Sequence, residues 1–131
     1  MKYLGIDFGT KRTGLAIAPD GRVAVLKETI RSQSQNATIK RVKEIVENDA
    51  IECIVVGHPL HLDSSHTEMT EQVERFVEKL RNHVSVPVQL FDERMTSEMA
   101  ATLLRGVKDA ERDQVAAQIV LQNFLDQLPK E

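Results

Sequence analysis

A chain of 131 residues that is 41% hydrophobic and 28% charged has enough apolar material for one packed core, and it lacks the bias of a disordered or fibrous protein. Its formal net charge of −3 is opposite to the basic footprint of most nucleic-acid binders, and no apolar stretch reaches the roughly 20 residues that a membrane span requires. A single cysteine, Cys53, excludes an internal disulfide and reads as a small core residue; residues 1–131 are expected to form one domain in the cytoplasm, with no membrane partner.

The first segment, MKYLGIDF, predicts a strand with Tyr3, Gly5 and Asp7 on one face and Leu4, Ile6 and Phe8 on the other. After Gly9-Thr10-Lys11-Arg12, a second apolar run covers Thr13–Ala18. Pro19-Asp20-Gly21 marks a turn, and Arg22–Leu26 is expected to be the third strand of an antiparallel meander. Ile39, Val42, Ile45 and Val46 then recur at helical spacing between Asn36 and Glu47. Ile51–Gly57 is a short β-branched run, as expected of a strand covered on both faces. Met69, Val73, Phe76, Val77 and Leu80 form a second amphipathic stripe, and Val86–Phe91 predicts the fifth strand. Thr96 is placed to cap a helix that Gly106 would end, and Asp113–Leu128 predicts the last helix. This order defines an α/β fold: a mixed five-stranded sheet, with a three-stranded antiparallel meander and two parallel strands, flanked by helices.

Acidic residues fall where these elements start or stop. Asp7 ends the first strand, Asp92-Glu93 ends the fifth, and Asp113 opens the last helix. In a sheet whose strands are parallel, such carboxylates emerge at one edge, where ligands of open α/β sheets bind, and a shared metal site is the chemistry they suggest. Each has a local alternative. Asp7 could accept N–H bonds from the Gly9-Thr10 turn, and Asp113 could cap its own helix.

Four segments, GIDFGTKRTGLAI, VVGHPLHLDSS, FDERMTS and RDQVAAQIVLQNFLD, resemble the successive motifs of the YqgF/RuvX family, which has the ribonuclease H-like fold. The resemblance spans nearly the whole chain. It implies a cytoplasmic, metal-dependent nuclease that processes the 5′ end of pre-16S ribosomal RNA in ribosome biogenesis, or a Holliday-junction resolvase acting on branched DNA. It also implies that Asp7, Asp113 and one acid of the Asp92-Glu93 pair bind Mg²⁺ or Mn²⁺. Adjacent strand residues point to opposite faces, so one of that pair faces Asp7; the longer reach of Glu93 favours it, with Asp92 acting through water or holding Arg94. Gly9 and Gly14 would permit close backbone approach. Thr10, Lys11, Arg12, His58 and Arg94 are the candidate substrate contacts alongside Gly9, with salt bridges as the plainer reading of the cations.

Two departures from the family pattern stand out. Residues 105–112 (RGVKDAER) are shorter and more acidic than the usual basic loop, and His58 and His61 replace an aliphatic residue and an asparagine. His58, His61, Asp63 and His66 lack a settled zinc spacing. GIDFGT also resembles the phosphate loop of the actin, Hsp70 and sugar-kinase superfamily, but that superfamily builds its nucleotide cleft from two such domains. A non-catalytic nucleic-acid- or nucleotide-binding module is therefore the remaining alternative. A monomer or weak homodimer is expected, because nothing in the sequence marks a dimer interface.

Overall fold

The computed structural model describes residues 1–58, 68–92 and 105–129. Strands β1 (Tyr3–Asp7), β2 (Arg12–Ala18) and β3 (Val25–Arg31) are followed by α1 (Gln35–Asn48), β4 (Cys53–His58), α2 (Glu68–Arg81) and β5 (Val88–Asp92). A short 3₁₀ turn, Asp109–Glu111, leads into α3 (Arg112–Asp126). The expected helix after Thr96 falls on residues outside those described. Gly106, its expected stop, has a φ of +80°, in the left-handed region that suits glycine.

The sheet order is β3-β2-β1-β4-β5. β1 pairs antiparallel with β2 and parallel with β4, and β4 pairs parallel with β5, so the expected mixed sheet forms. Pleating divides β1 as its sequence predicts. Leu4, Ile6 and Phe8 join Ile54 and Val56 under the buried faces of α1 and α2, while Tyr3, Cys53 and Val55 meet Ala117, Val120 and Leu121 of α3. Cys53 is a core residue as expected, and burial pushes its thiol pKa up.

Helix α1 begins at Ser34, whose Oγ accepts the Ala37 N–H at 3.2 Å. Its outer side is tied to the edge strand: Arg41 donates from Nε and Nη2 to Glu28 at 2.9 and 2.8 Å. That bidentate pair holds the Glu28 carboxyl below its ordinary range, chiefly through the Arg41 hydrogen bonds. A lowered folded pKa means that the pair's contribution is present above the unfolded value near 4.5 and lost as pH falls through the folded pKa. Exposure limits it to about 1 kcal/mol. Glu28→Gln is expected to lower stability by that amount at neutral pH, and to flatten the acid limb of a urea-midpoint series; an unchanged acid limb would refute the assignment.

The third strand departs from expectation. It begins at Val25 rather than Arg22 and continues to Arg31. Asp20 Oδ1 accepts the N–H groups of Arg22 and Val23, which prolongs the turn. Glutamines of α3 then occupy the groups a strand would use. Ala24 donates its N–H to Gln122 Oε1 at 2.9 Å, while Gln118 Nε2 donates to the Ala24 carbonyl and Gln122 Nε2 to that of Arg22. Farther along, Gln114 Nε2 donates to Thr29 Oγ1. Four residues per step keep the three glutamines on one face of the helix.

Candidate active site

The C-terminal end of β1 lies beside the N-terminal end of β2, with Asp7 opposite Gly14 and Gly5 opposite Ala16. Residues directly opposite in an antiparallel pair share a face, so Asp7 and Gly14 both lie on the α3 side. That face carries glycine at three of the positions over which α3 lies. A Cβ on Gly5 would stand 2.7 Å from Leu121 Cβ, one on Gly57 would stand 3.1 Å from Val120 Cγ2, and one on Gly14 would overlap the Asp113 carbonyl oxygen. The helix therefore rests its first turn directly on β2. Ala117 of the helix is buried there, but the strand glycines supply most of the room.

Asp113 consequently reaches the sheet edge at which Asp7 ends. Opposite Cα atoms of a strand pair lie about 5 Å apart, so one residue, Gly14, separates Asp7 from the Asp113 backbone. Asp113 is not the helix cap: the capping position is Glu111, and no side chain bonds there. Its carboxylate instead meets Arg12 Nε at 3.0 Å, with 24% of the Asp113 side chain and 57% of that of Arg12 exposed.

The intervening loop is built around a buried threonine that sequence reasoning left unremarked. Thr13 Oγ1 donates to the Gly9 carbonyl at 3.3 Å and lies 3.5 Å from the Gly9 N–H. A Cβ on Gly9 would overlap the Arg12 carbonyl oxygen, so the tight loop requires glycine. Thr10, Lys11 and Arg12 are left exposed on its outside, and the Ser32 N–H donates to the Lys11 carbonyl to hold it against the end of β3.

The other half of the edge divides differently. His58 stands opposite Asp92, one step beyond Gly57 opposite Phe91. Gly57 and Phe91 belong to the α3 side, so His58 and Asp92 lie on the α1 and α2 side, and His58 Nε2 is 3.3 Å from Glu74 Oε2 of α2. Glu93, Arg94, His61, Asp63 and His66 lie outside the described residues. Among the described residues, no group of three or more His, Cys, Asp and Glu side chains is placed to hold a metal. A cavity of about 480 Å³ beside Asp113 is lined by Arg12, Arg31, Asp109, Ala110, Arg112 and Asp113. Arg31 and Arg112 were not singled out from the sequence; the signal was their register, which required the correct bounds of β3.

A meander joined to parallel strands, with helices on both faces and acids at one edge, is the ribonuclease H-like architecture of the resolvase nucleases. Thermus thermophilus RuvC has this fold, with a TM-score of 0.62 at 18% identity over 95% of this chain and 94% of its own. So does the fowlpox virus Holliday junction resolvase, with a TM-score of 0.64 at 11% identity over 98% and 100%. A Maridesulfovibrio salexigens protein named "Putative pre-16S rRNA nuclease" is 40% identical over 132 aligned residues, covering 95% of this chain and 98% of its own. The family model for RuvX, Holliday junction resolvase, matches residues 1–127, and the chain belongs to that family of nucleic-acid hydrolases. Among the described residues, no helix is long and apolar enough to cross a membrane.

Proposed function

We propose that this chain is a cytoplasmic, metal-dependent endonuclease that trims the 5′ end of a pre-16S ribosomal RNA, working as a single domain and as a monomer or weak homodimer. The observation that supports the reading is that Asp7 lies opposite Gly14 on the α3 side of the sheet and that the Asp113 backbone packs against Gly14. Oxygen donors of this kind suit a hard cation, Mg²⁺ or Mn²⁺, and Glu93 would complete the set with them. Such a cation supplies charge stabilisation at the phosphate and an activated water. Asp92 belongs outside that set, because pleating assigns it to the opposite face. Gly9 and Thr10 shape the loop over which a strand would run, Lys11 and Arg12 bind its phosphates, and Arg94 and His58 bind flanking groups.

The RNA preference rests on the relative's name and on the single site this chain provides. Resolving a junction needs paired cuts by two symmetry-related sites. A side-by-side assay with a pre-16S RNA fragment and a four-way DNA junction is the test. RNA cleavage with the junction left intact is expected; symmetric nicking of the junction with the RNA left whole would move the chain to the resolvase reading. Retained binding without cleavage of either would make it a non-catalytic module.

Arg12 has two roles in this scheme that pull in opposite directions. Its guanidinium competes with a cation for Asp113 and also attracts phosphate. Arg12→Gln is expected to tighten Mn²⁺ binding and weaken RNA binding. Each change should be a few-fold, because the pair is solvent-screened. Calorimetry with Mn²⁺ and an RNA-binding titration read the two affinities, and a shift of both in the same direction would reject the double role.

A further inference from the structure

Beside the acidic pair, β2 and β3 place Arg12 directly opposite Arg31. Like charges in that relation repel, and the arrangement persists at the mouth of a cavity that Arg112 also lines. Arg12 is matched by Asp113 at 3.0 Å. Among the described residues, neither Arg31 nor Arg112 has a carboxylate within ion-pair distance, although Asp109 lines the same cavity. The lining therefore carries three guanidinium groups against two carboxylates, with one of each already paired. Its volume of about 480 Å³ falls within the roughly 300–1,000 Å³ of ligand sites, which suits a nucleotide segment better than a lone ion.

We propose that this cavity is a phosphate subsite in which Arg31 and Arg112 hold a non-scissile phosphodiester of a nucleic-acid strand, fixing the strand's path relative to Asp7 and Asp113. Guanidinium groups suit this role because their fork of donors matches two phosphate oxygens at once. The two arginines approach from separate elements, the end of β3 and the start of α3, so a strand passing between them is clamped rather than merely attracted. Asp109 lines the same cavity and would repel a phosphate placed beside it. Arg112 closes the 105–112 segment and Arg31 lies outside it, so the subsite joins one cation of that segment to one from β3. The identity of the ligand rests on the nuclease reading; the anion-binding geometry does not.

The test is the salt dependence of binding to a fluorescein-labelled RNA hairpin in EDTA, compared across the unaltered chain, Arg31→Gln, Arg112→Gln and the double variant. Each single variant should reduce the slope of log affinity against log salt by about 0.7–0.9, the value for one lost phosphate contact. The double variant should lose about tenfold or more in affinity at low salt, with an unchanged melting temperature because both side chains are exposed. Arg31→Lys, which keeps the charge, should restore the slope and only part of the affinity. An unchanged slope in the double variant, or no measurable binding by the unaltered chain, overturns the subsite. Cleavage of the same hairpin with Mg²⁺ present is read separately. Cleavage with unchanged slopes would leave the nuclease standing without the subsite, and reduced slopes in a chain that cuts nothing would leave the subsite without the nuclease.

Discussion

Asp7→Asn is expected to reduce cleavage by at least two to three orders of magnitude while leaving the fold about as stable as before. A bound cation contributes several kcal/mol of charge stabilisation, and each ~1.4 kcal/mol is about tenfold in rate. Asparagine retains the shape and some hydrogen bonds of aspartate but lacks the charge that holds the cation. Asp7 lies opposite Gly14, against which the Asp113 backbone packs, so the substitution changes a charge at the sheet edge without removing an apolar core contact. Mn²⁺ calorimetry and a thermal melt on the same preparation separate the two effects. Unchanged cation affinity would remove Asp7 from the site, and a melting temperature lowered by ten degrees or more would make it a structural residue.

Gly14→Ala should have the opposite profile, with a large loss of stability that takes activity with it. The added methyl would overlap a backbone carbonyl oxygen of Asp113, which cannot swing aside as a flexible side chain would. Relief requires the first turn of α3 to lift off β2. Overpacking a tight contact costs about 1–3 kcal/mol and sometimes more, and the upper part of that range applies where backbone meets backbone. For a chain of this size that lowers the melting temperature by roughly 10 °C. Because α3 carries Asp113, cleavage should fall below what the residual folded fraction explains. A variant that melts normally and cleaves normally would show that the helix is not seated as described. Gly106→Ala is the useful contrast: among the described residues a Cβ there meets no atom within 4 Å, so the loss expected is that of its positive φ.

Much of this architecture is legible in local sequence. The apolar run of β1, the β-branched run of β4 and the helical stripes of α1 and α2 each carry their burial pattern without reference to the rest of the chain. Errors arise where a distant residue overrides a local signal. Val23 and Ala24 look like strand residues, yet a glutamine 98 positions away binds the Ala24 N–H and the strand begins later. Asp113 looks like a helix cap because caps are local, whereas its partner is Arg12 on another element. The pairing of Arg12 with Arg31 was hidden because the expected third strand stopped at Leu26. The neighbour of His58, Glu74 of α2, is likewise invisible locally, because it follows from the pleat of β4.

The three glutamines of α3 have a consequence for how the protein comes into being on the ribosome. They and the apolar residues behind them are the only cover that the described residues provide for one whole side of the sheet. A nascent chain that has emerged as far as β5 can pair its strands and dock α1 and α2. It still shows Tyr3, Ala16, Ala18 and Val55 to water and to chaperones. Docking of the last helix closes that surface and delivers the second carboxylate in the same event. On the proposed site, burial of the last apolar face and assembly of the two acids are one event, and an unfinished chain carries Asp7 without Asp113.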